Sequence, residues 1–564
     1  MPSFFRLPRL VCGMVLLGSC GGSGVGPTPE QLSTAQAAIT TPGLLVSIKE
    51  LSDDSMLGRG PGTVGEDRAI RYINARFKTL GLEPGNPDGS YFQAVDLLGF
   101  KATPTAEFHA GGRTISLAFP TDYVAASRRE APEVDVDNSE LVFVGYGVVA
   151  PEYNWDDYKG LDVKGKTIVM LINDPPVPDP NDSSRLDSTV FHGKAMTYYG
   201  RWTYKFEIAS TKGAAAAIIV HQTIPAAYPW DVVEHSWSKE NMDVKHPDGN
   251  KAHVGVESWI TYDRAKELFK ASGKDFDALA RSAREREFKP VPLGATVTFH
   301  LKNSVRQLQS HNVVAKITGS DARLRDEFVI YTAHWDHLGT GAPVNGDSIF
   351  NGAMDNASGV AGMLEIAKAY HALATPPRRS ILFIAVTAEE KGLLGARYYG
   401  ENPLYPLEKT LADLNLDGLN QWGRTTDLVV IGKGNSTLED LLGELAAAQK
   451  RTLSPDPEPE KGLYYRADHF EFAKKGVPSM FLDAGVHYVG KSDDYSKIKR
   501  DQYTEHDYHN VSDEVKPDWD LSGAVEDLAL LFRVGSRVAS DNSWPTWKAG
   551  NEFKAIREKM LVGH

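Results

Sequence analysis

The sequence predicts an α/β fold, with a mixed, largely parallel central sheet flanked by helices and interrupted by a β-rich insertion. Two apolar runs, residues 328–333 and 380–387 (SILFIAVT), have the length and continuity of strands buried on both faces. Between them residues 358–373 (SGVAGMLEIAKAYHAL) space their apolar side chains as an amphipathic helix does, and strand, helix, strand in succession belongs to a sheet that is at least partly parallel. Residues 101–306 have another texture, short β-like runs broken by Gly, Pro and Asp.

Taken in order, the chain opens with Arg6 and Arg9 ahead of an apolar run at 10–17 and then Leu-Gly-Ser-Cys, the plan of a secretory signal with a small-residue cleavage site. Leu17, Gly18, Ser19 and Cys20 resemble the bacterial lipobox, which implies cleavage before Cys20 and lipidation of its thiol. The expected product is an exported lipoprotein, periplasm-facing or at the cell surface, anchored to the membrane through Cys20, with simple secretion as the alternative. Residues 20–27, rich in Gly and Ser, read as a flexible tether. Cys12 and Cys20 are the only two cysteines, so the chain beyond the signal has no internal disulfide and no cysteine metal ligand. No later run approaches the roughly 18 to 20 apolar residues of a membrane span. A formal net charge of -13 argues against nucleic acid as a partner.

Thr28, Pro29 and Glu30 form a helix start, and residues 69–80 (AIRYINARFKTL) set Ile70, Ile73, Phe77 and Leu80 at helical spacing before Gly81. Residues 141–149, 167–172 and 216–221 are expected strands, with a helix over 202–212 and one or two more over 261–283. The acidic, Pro-rich segment 173–187 reads as a solvated loop. Further strands are expected at 312–318, 412–416, 428–431 and 479–482, and the last strong helix at 521–538.

Chemistry-bearing residues collect where these strands end. His334 and Asp336 leave the end of 328–333 two positions apart, hence on one side of the sheet. Asp355 lies in a Gly-Ala-Met-Asp-Asn loop just before the helix at 358. Glu389 and Glu390 follow 380–387, Asp417 follows 412–416, and Tyr508-His509 lies beyond the last strand. Ligands of open α/β sheets gather at the carboxyl ends of strands, so these scattered positions can share one site. Adjacent glutamates after a buried strand need cations to offset their repulsion, and one can ligate a metal while its neighbour takes a proton from water. His337 falls out of the i, i+2 phase and is expected in a surface loop; His371 is expected to be an ordinary helix residue.

HxD, GAxDNASG, EExGLLG, NLDG and YH, in this order and spacing, resemble the co-catalytic zinc aminopeptidase family that also includes glutamate carboxypeptidases and glutaminyl cyclases. The resemblance covers about 308–538, and GRGPGTVGEDRAIRYINARFKTLGLEP is similar to the opening of such a zinc exopeptidase domain, of phosphorylase/hydrolase-like fold. It implies two zinc ions per chain bridged by Asp355, one completed by His334 and Asp417 and the other by Glu390 and His509. It further implies Glu389 as general base, Asp336 hydrogen-bonding His334 to fix its tautomer, and Tyr508 as oxyanion donor or as a packed support for His509. YRADHF at 465–470 resembles the family's RSDHxxF segment, which implies that Asp468 and His469 are cleft residues that support or orient the substrate, with Arg466 beside them. LVFVGYGVVAPEYNWDDYKGLDVKGKTIVML and TKGAAAAIIVH resemble a protease-associated domain, expected to shape the cleft.

The implied organisation is a signal at 1–19, a tether at 20–27, peptidase segments at 28–105 and 306–545 around an insertion at 106–305, and a peripheral tail at 546–564. The expected function is hydrolysis of N-terminal peptide bonds, with peptides as substrates. A carboxypeptidase of the glutamate carboxypeptidase type and a non-catalytic binding protein on the same fold are the alternatives. A single-zinc cyclase fits less well, because the full ligand set and the adjacent base are present.

Overall fold

The computed structural model describes residues 26–562, so the signal segment and Cys20 lie outside the described residues. Helix Pro29–Gln36 opens on Thr28, whose hydroxyl accepts from the Gln31 amide while the Gln31 side chain accepts from the Thr28 amide at 2.8 Å, a reciprocal cap. Helix Val64–Thr79 starts earlier than its apolar periodicity, because the Thr63 hydroxyl accepts from the Gly65 amide and sets its first turn. Ile70, Ile73 and Phe77 form its buried stripe.

One half of the sheet runs Thr452–Pro455, Asp427–Ile431, Ser479–Asp483, Thr410–Asn415, Phe328–His334, Ser380–Val386 and then Val291–Ile317. Its central pairs are parallel, from Ser380–Val386 through Phe328–His334 and Thr410–Asn415 to Ser479–Asp483. Antiparallel pairs flank them, so the sheet is mixed and largely parallel as the apolar runs predict. Every residue of Phe328–His334 and Ser380–Val386 is buried. Val329, Tyr331 and Ala333 pack with the helices Val64–Thr79, Gly359–His371 and Ser522–Ser540, while Phe328 and Ile330 pack on the other face with Ala396, Tyr399 and Phe472. Cover on both faces is what allows continuous apolar strands.

Two long strands lead out of this half. Phe92–Ala110 and Val291–Ile317 pair antiparallel from Phe92 opposite Val313 to His109 opposite Thr296, and residues 105 and 305 fall inside them. The chain therefore passes to the second half along a hydrogen-bonded ribbon. There Glu133–Phe143, Thr167–Leu171, Ala216–Val220 and Val256–Ile260 form a parallel run, with helices Trp202–Thr211 and Tyr262–Ala271 contributing to its cores. This second half is thus layered, its sheet covered by helices. An ionic tie joins the halves: Asp243, fully buried on Asn241–Val244, meets Arg128 at 3.3 Å, His253 at 3.1 Å and Arg397 of helix Leu394–Glu401 at 2.5 Å.

Three local expectations need correction. The strand expected over 141–149 ends at Phe143, because Gly145 and Gly147 turn the chain with φ of 59° and 67°. The segment 173–187 is exposed at its tip, Asp182–Leu186, but its root is buried, where Asp174 accepts from the Thr197 amide at 2.7 Å and hydroxyl at 2.6 Å. The tail is not peripheral. Trp547 is buried and donates to Gly476 O at 2.9 Å, and Arg557 of helix Lys554–Leu561 donates to Leu407 O at 3.1 Å and Thr410 O at 2.8 Å. Among the described residues no helix is long and apolar enough to cross a membrane.

Candidate active site

His334 ends the strand Phe328–His334, Glu389 and Glu390 follow Ser380–Val386, and Asp417 follows Thr410–Asn415, so three parallel strands deliver their ends to one place. Asp355 reaches it from the loop ahead of helix Gly359–His371, and His509 from the turn after helix Tyr495–His506. His334 Nε2 lies 3.2 Å from Asp417 Oδ1 and 3.3 Å from Asp355 Oδ1. His509 Nε2 lies 3.3 Å from Asp355 Oδ2 and 3.0 Å from Glu390 Oε2. Each Asp355 oxygen thus faces a different imidazole, and the five residues divide into the triads His334–Asp355–Asp417 and His509–Asp355–Glu390.

The electrostatics fit cations. Glu389 is held well above the ordinary carboxyl range by burial, with Glu390, Asp417 and Asp468 adding to it, and Asp417 is raised by burial as well. Burial and Asp355 push Glu390 up too, but His509 and His337 outweigh them and hold it down to about 2. Burial disfavours protonation of His334 and His509, yet their carboxylate neighbours raise both well above the usual imidazole range. His334 Nδ1 faces the Asp336 carbonyl at 3.1 Å, and a carbonyl only accepts, so Nδ1 carries hydrogen and the Nε2 lone pair is free for a metal. Imidazole nitrogens and carboxylate oxygens with no thiolate suit a borderline divalent ion such as zinc.

The structure corrects the expected contact of the Asp336 side chain. Its carboxylate stands 3.9 Å from His334 Nδ1 and instead accepts from the Glu389 amide at 3.1 Å and the Glu390 amide at 3.4 Å. The backbone carbonyl of Asp336 orients His334, and its side chain holds the turn that carries both glutamates.

His337 is another correction. It is fully buried rather than in a surface loop, and its Nδ1 lies 2.7 Å from Glu390 Oε1. The strand stops at His334, so alternation no longer governs the next residues and His337 turns inward. His337, Asp355 and Glu390 themselves form a group able to hold an ion. Tyr508 stacks on His509, with ring centroids 3.9 Å apart and planes at 23°, and remains 38% exposed. Asp468 and His469 are fully buried and do not line an open cleft. Both Asp468 oxygens lack a hydrogen-bond partner, and burial holds its carboxyl well above the ordinary range and pushes His469 down to about 3. Arg466 is exposed. His371 ends helix Gly359–His371 and is exposed, away from the site as expected.

Two residues that the sequence reading passes over support the centre. Arg59 is buried, with Nε donating to Trp335 O at 2.8 Å, Nη1 to Leu51 O and Asn351 O at 2.6 Å each, and Nη2 to Gly352 O at 2.8 Å. One guanidinium thereby joins the segment after His334 to the loop before Asp355. Burial lowers its pKa to about 10, opposed by Asp355, Asp513, Asp336 and Glu390. Asp513 accepts from the amides of Met354 at 3.0 Å and Asp355 at 3.1 Å, fixing the bridging residue's backbone. A cleft of about 300 Å³ lies beside it, lined by Trp422, Tyr503, His506, Asp513 and Trp519 among others.

Residues 312–532 match the family model described as Peptidase family M28. Among curated proteins, an aminopeptidase NAALADL1 of Mus musculus is 36% identical over 131 residues, 22% of this chain and 16% of that protein. A vacuolar membrane protease of Talaromyces marneffei is 25% identical over 230 residues, 38% of this chain and 22% of that protein. The chain thus spans only about a fifth of the length of the curated relatives it matches. Among solved structures, an aminopeptidase from Aneurinibacillus sp. strain AM-1 aligns over 91% of this chain and 97% of its own, at 19% identity and a TM-score of 0.47.

Proposed function

We propose, taking residues 312–532 as a Peptidase family M28 unit, that the protein is a zinc-dependent exopeptidase, an aminopeptidase that removes N-terminal residues from peptides. One observation carries the reading: Asp355 turns its two oxygens to two histidines, each of which also meets a second carboxylate, Asp417 or Glu390. This supports two metal positions bridged by Asp355, His334 and Asp417 completing one and Glu390 and His509 the other. Bound there, two zinc ions would supply the Lewis acidity that makes water acidic and the scissile carbonyl electrophilic. Glu389 takes the proton from the attacking water and returns it to the leaving amine. Asp336 keeps Glu389 in place through its amide. Tyr508 steadies His509 by stacking, and its hydroxyl serves as donor to the oxyanion.

In the same reading the insertion is a protease-associated domain at 106–305, between peptidase segments at 28–105 and 306–545, and it forms one wall of the cleft. The chain is exported and held to a membrane by lipid on Cys20. Matched peptides with a free or an acetylated N-terminus test the exopeptidase class. The free-amine peptide is expected to be cleaved at its first bond, and acetylation to abolish cleavage. Equal cleavage of the acetylated peptide, or a requirement for a free C-terminal carboxylate instead, contradicts the aminopeptidase assignment.

A further inference from the structure

We propose that the short strand Asn241–Val244, anchored by Asp243, positions the turn at 388–394 that carries Glu389 and Glu390. The two glutamates are thereby held from a part of the chain that supplies no group to the centre. The proposal takes the roles of both glutamates from the exopeptidase reading. Local preference does not give this turn its shape. Ala388 and Leu393 lie in the left-handed region, with φ of 53° and 61°, which a Cβ disfavours, and both are buried. The backbone closes on itself, the Gly395 amide donating to Thr387 O at 2.8 Å and the Leu394 amide to Ala388 O at 3.0 Å. Asn312 on Val291–Ile317 braces the two ends: its Oδ1 accepts from the Thr387 amide at 3.0 Å and its Nδ2 donates to Gly395 O at 3.0 Å. Strained backbone of this kind persists where its surroundings over-determine it.

Asn241–Val244 supplies support from another quarter. It lies in sequence between the two long strands and pairs antiparallel with the first of them, Met242 opposite Gly99 and Val244 opposite Leu97. Met242 and Val244 are buried in one apolar cluster with Val95, Leu97, Ala388 and Leu394. Ala388 and Leu394 bracket the glutamates, the first directly before Glu389 and the second at the start of helix Leu394–Glu401. Asp243, between Met242 and Val244, meets Arg397 at 2.5 Å, one turn further along that helix. The same carboxylate is held by Arg128 at 3.3 Å and His253 at 3.1 Å, and Arg128 in turn meets Glu257 at 2.9 Å. Asp243 is therefore fixed on its own side before it reaches the helix. Packing and ion pair both act on residues that flank Glu389 and Glu390, whereas Asp336 holds only the amides of the two glutamates. A base and a metal ligand set on one strained turn depend on its position, since a displacement of about 1 Å at a reacting group costs on the order of 10²-fold in rate.

Kinetics of the zinc-loaded protein, measured well below its unfolding temperature, separate position from stability. In Asp243→Asn, kcat on a free-amine peptide is expected to fall by about 10- to 100-fold while KM changes by less than about twofold. Arg397→Met is expected to act alike, and the double variant Asp243→Asn/Arg397→Met to be no worse than either alone, because both remove one interaction. Arg397→Lys is expected to keep most of kcat, since an ammonium still meets Asp243. Ile218→Ala opens a cavity in the apolar core of the second half, away from the turn, and is expected to lower stability and leave kcat unchanged. Hydrogen exchange of the amides at 387–395 reads the turn without turnover, and is expected to quicken by about tenfold in Asp243→Asn and not in Ile218→Ala. Unchanged kcat or unchanged exchange in a folded Asp243→Asn, or an equal fall of kcat in Ile218→Ala, overturns the positioning role. If Asp243→Asn does not fold, Val244→Ala carries the same comparison. Quickened exchange in a protein whose parent hydrolyses no peptide overturns the exopeptidase reading and leaves the strand's hold on the turn standing.

Discussion

Glu389→Gln is expected to lower kcat by about 10³-fold or more while the protein stays folded and binds as much metal as the parent. The change keeps the size and shape of the side chain and removes only its capacity to take a proton. Glu389 lies in neither ligand triad, and its amide is tied to Asp336, so neither the metal positions nor the turn depends on its charge. Metal content by elemental analysis and kcat on a free-amine peptide, measured on the same preparation, check this. A variant with full metal content and near-parental kcat removes Glu389 from the base role.

Arg59→Met is expected to have the largest effect on stability, about 3 to 5 kcal/mol in denaturant unfolding. The substitution leaves the carbonyls of Leu51, Trp335, Asn351 and Gly352 buried without their donor. It also removes the positive charge facing Asp355, Asp513, Asp336 and Glu390. Two effects on metal binding then compete. A lost positive charge favours cations nearby, whereas released loops let His334 and Asp355 drift apart. Four lost charge-assisted bonds outweigh the screened charge term, so zinc affinity is expected to fall by about 10- to 100-fold. Arg59→Lys is expected to recover little, since an ammonium does not reproduce the fork that reaches carbonyls on several segments. Unchanged unfolding free energy and zinc affinity in Arg59→Met contradict this role.

The core of the fold and the residues of the candidate centre were legible because local pattern and function coincide there. Residues 328–333 and 380–387 are apolar throughout because the sheet is covered on both faces, and parallel strands end together, so residues just past them meet. What local pattern does not carry was missed. His337 lies past the end of its strand, where alternation ceases to predict direction. Arg59, in a Gly-rich stretch, finds its carbonyl partners up to 293 positions away. Asp513 acts through backbone amides, which leave no signature in residue type. The tail 546–564 carries no such pattern either: it is rich in charge, yet the fold places Trp547 and Arg557 over Gly476 and Thr410.

In the proposed mechanism Asp355 bridges two metal positions on which hydrolysis depends, and zinc titration of the chelator-treated protein checks this. Activity on a free-amine peptide is expected to be absent without metal and to reach its maximum only at two zinc equivalents per chain, with calorimetry resolving two binding steps. Full activity at one equivalent, or activity that survives complete removal of metal, contradicts the two-metal centre.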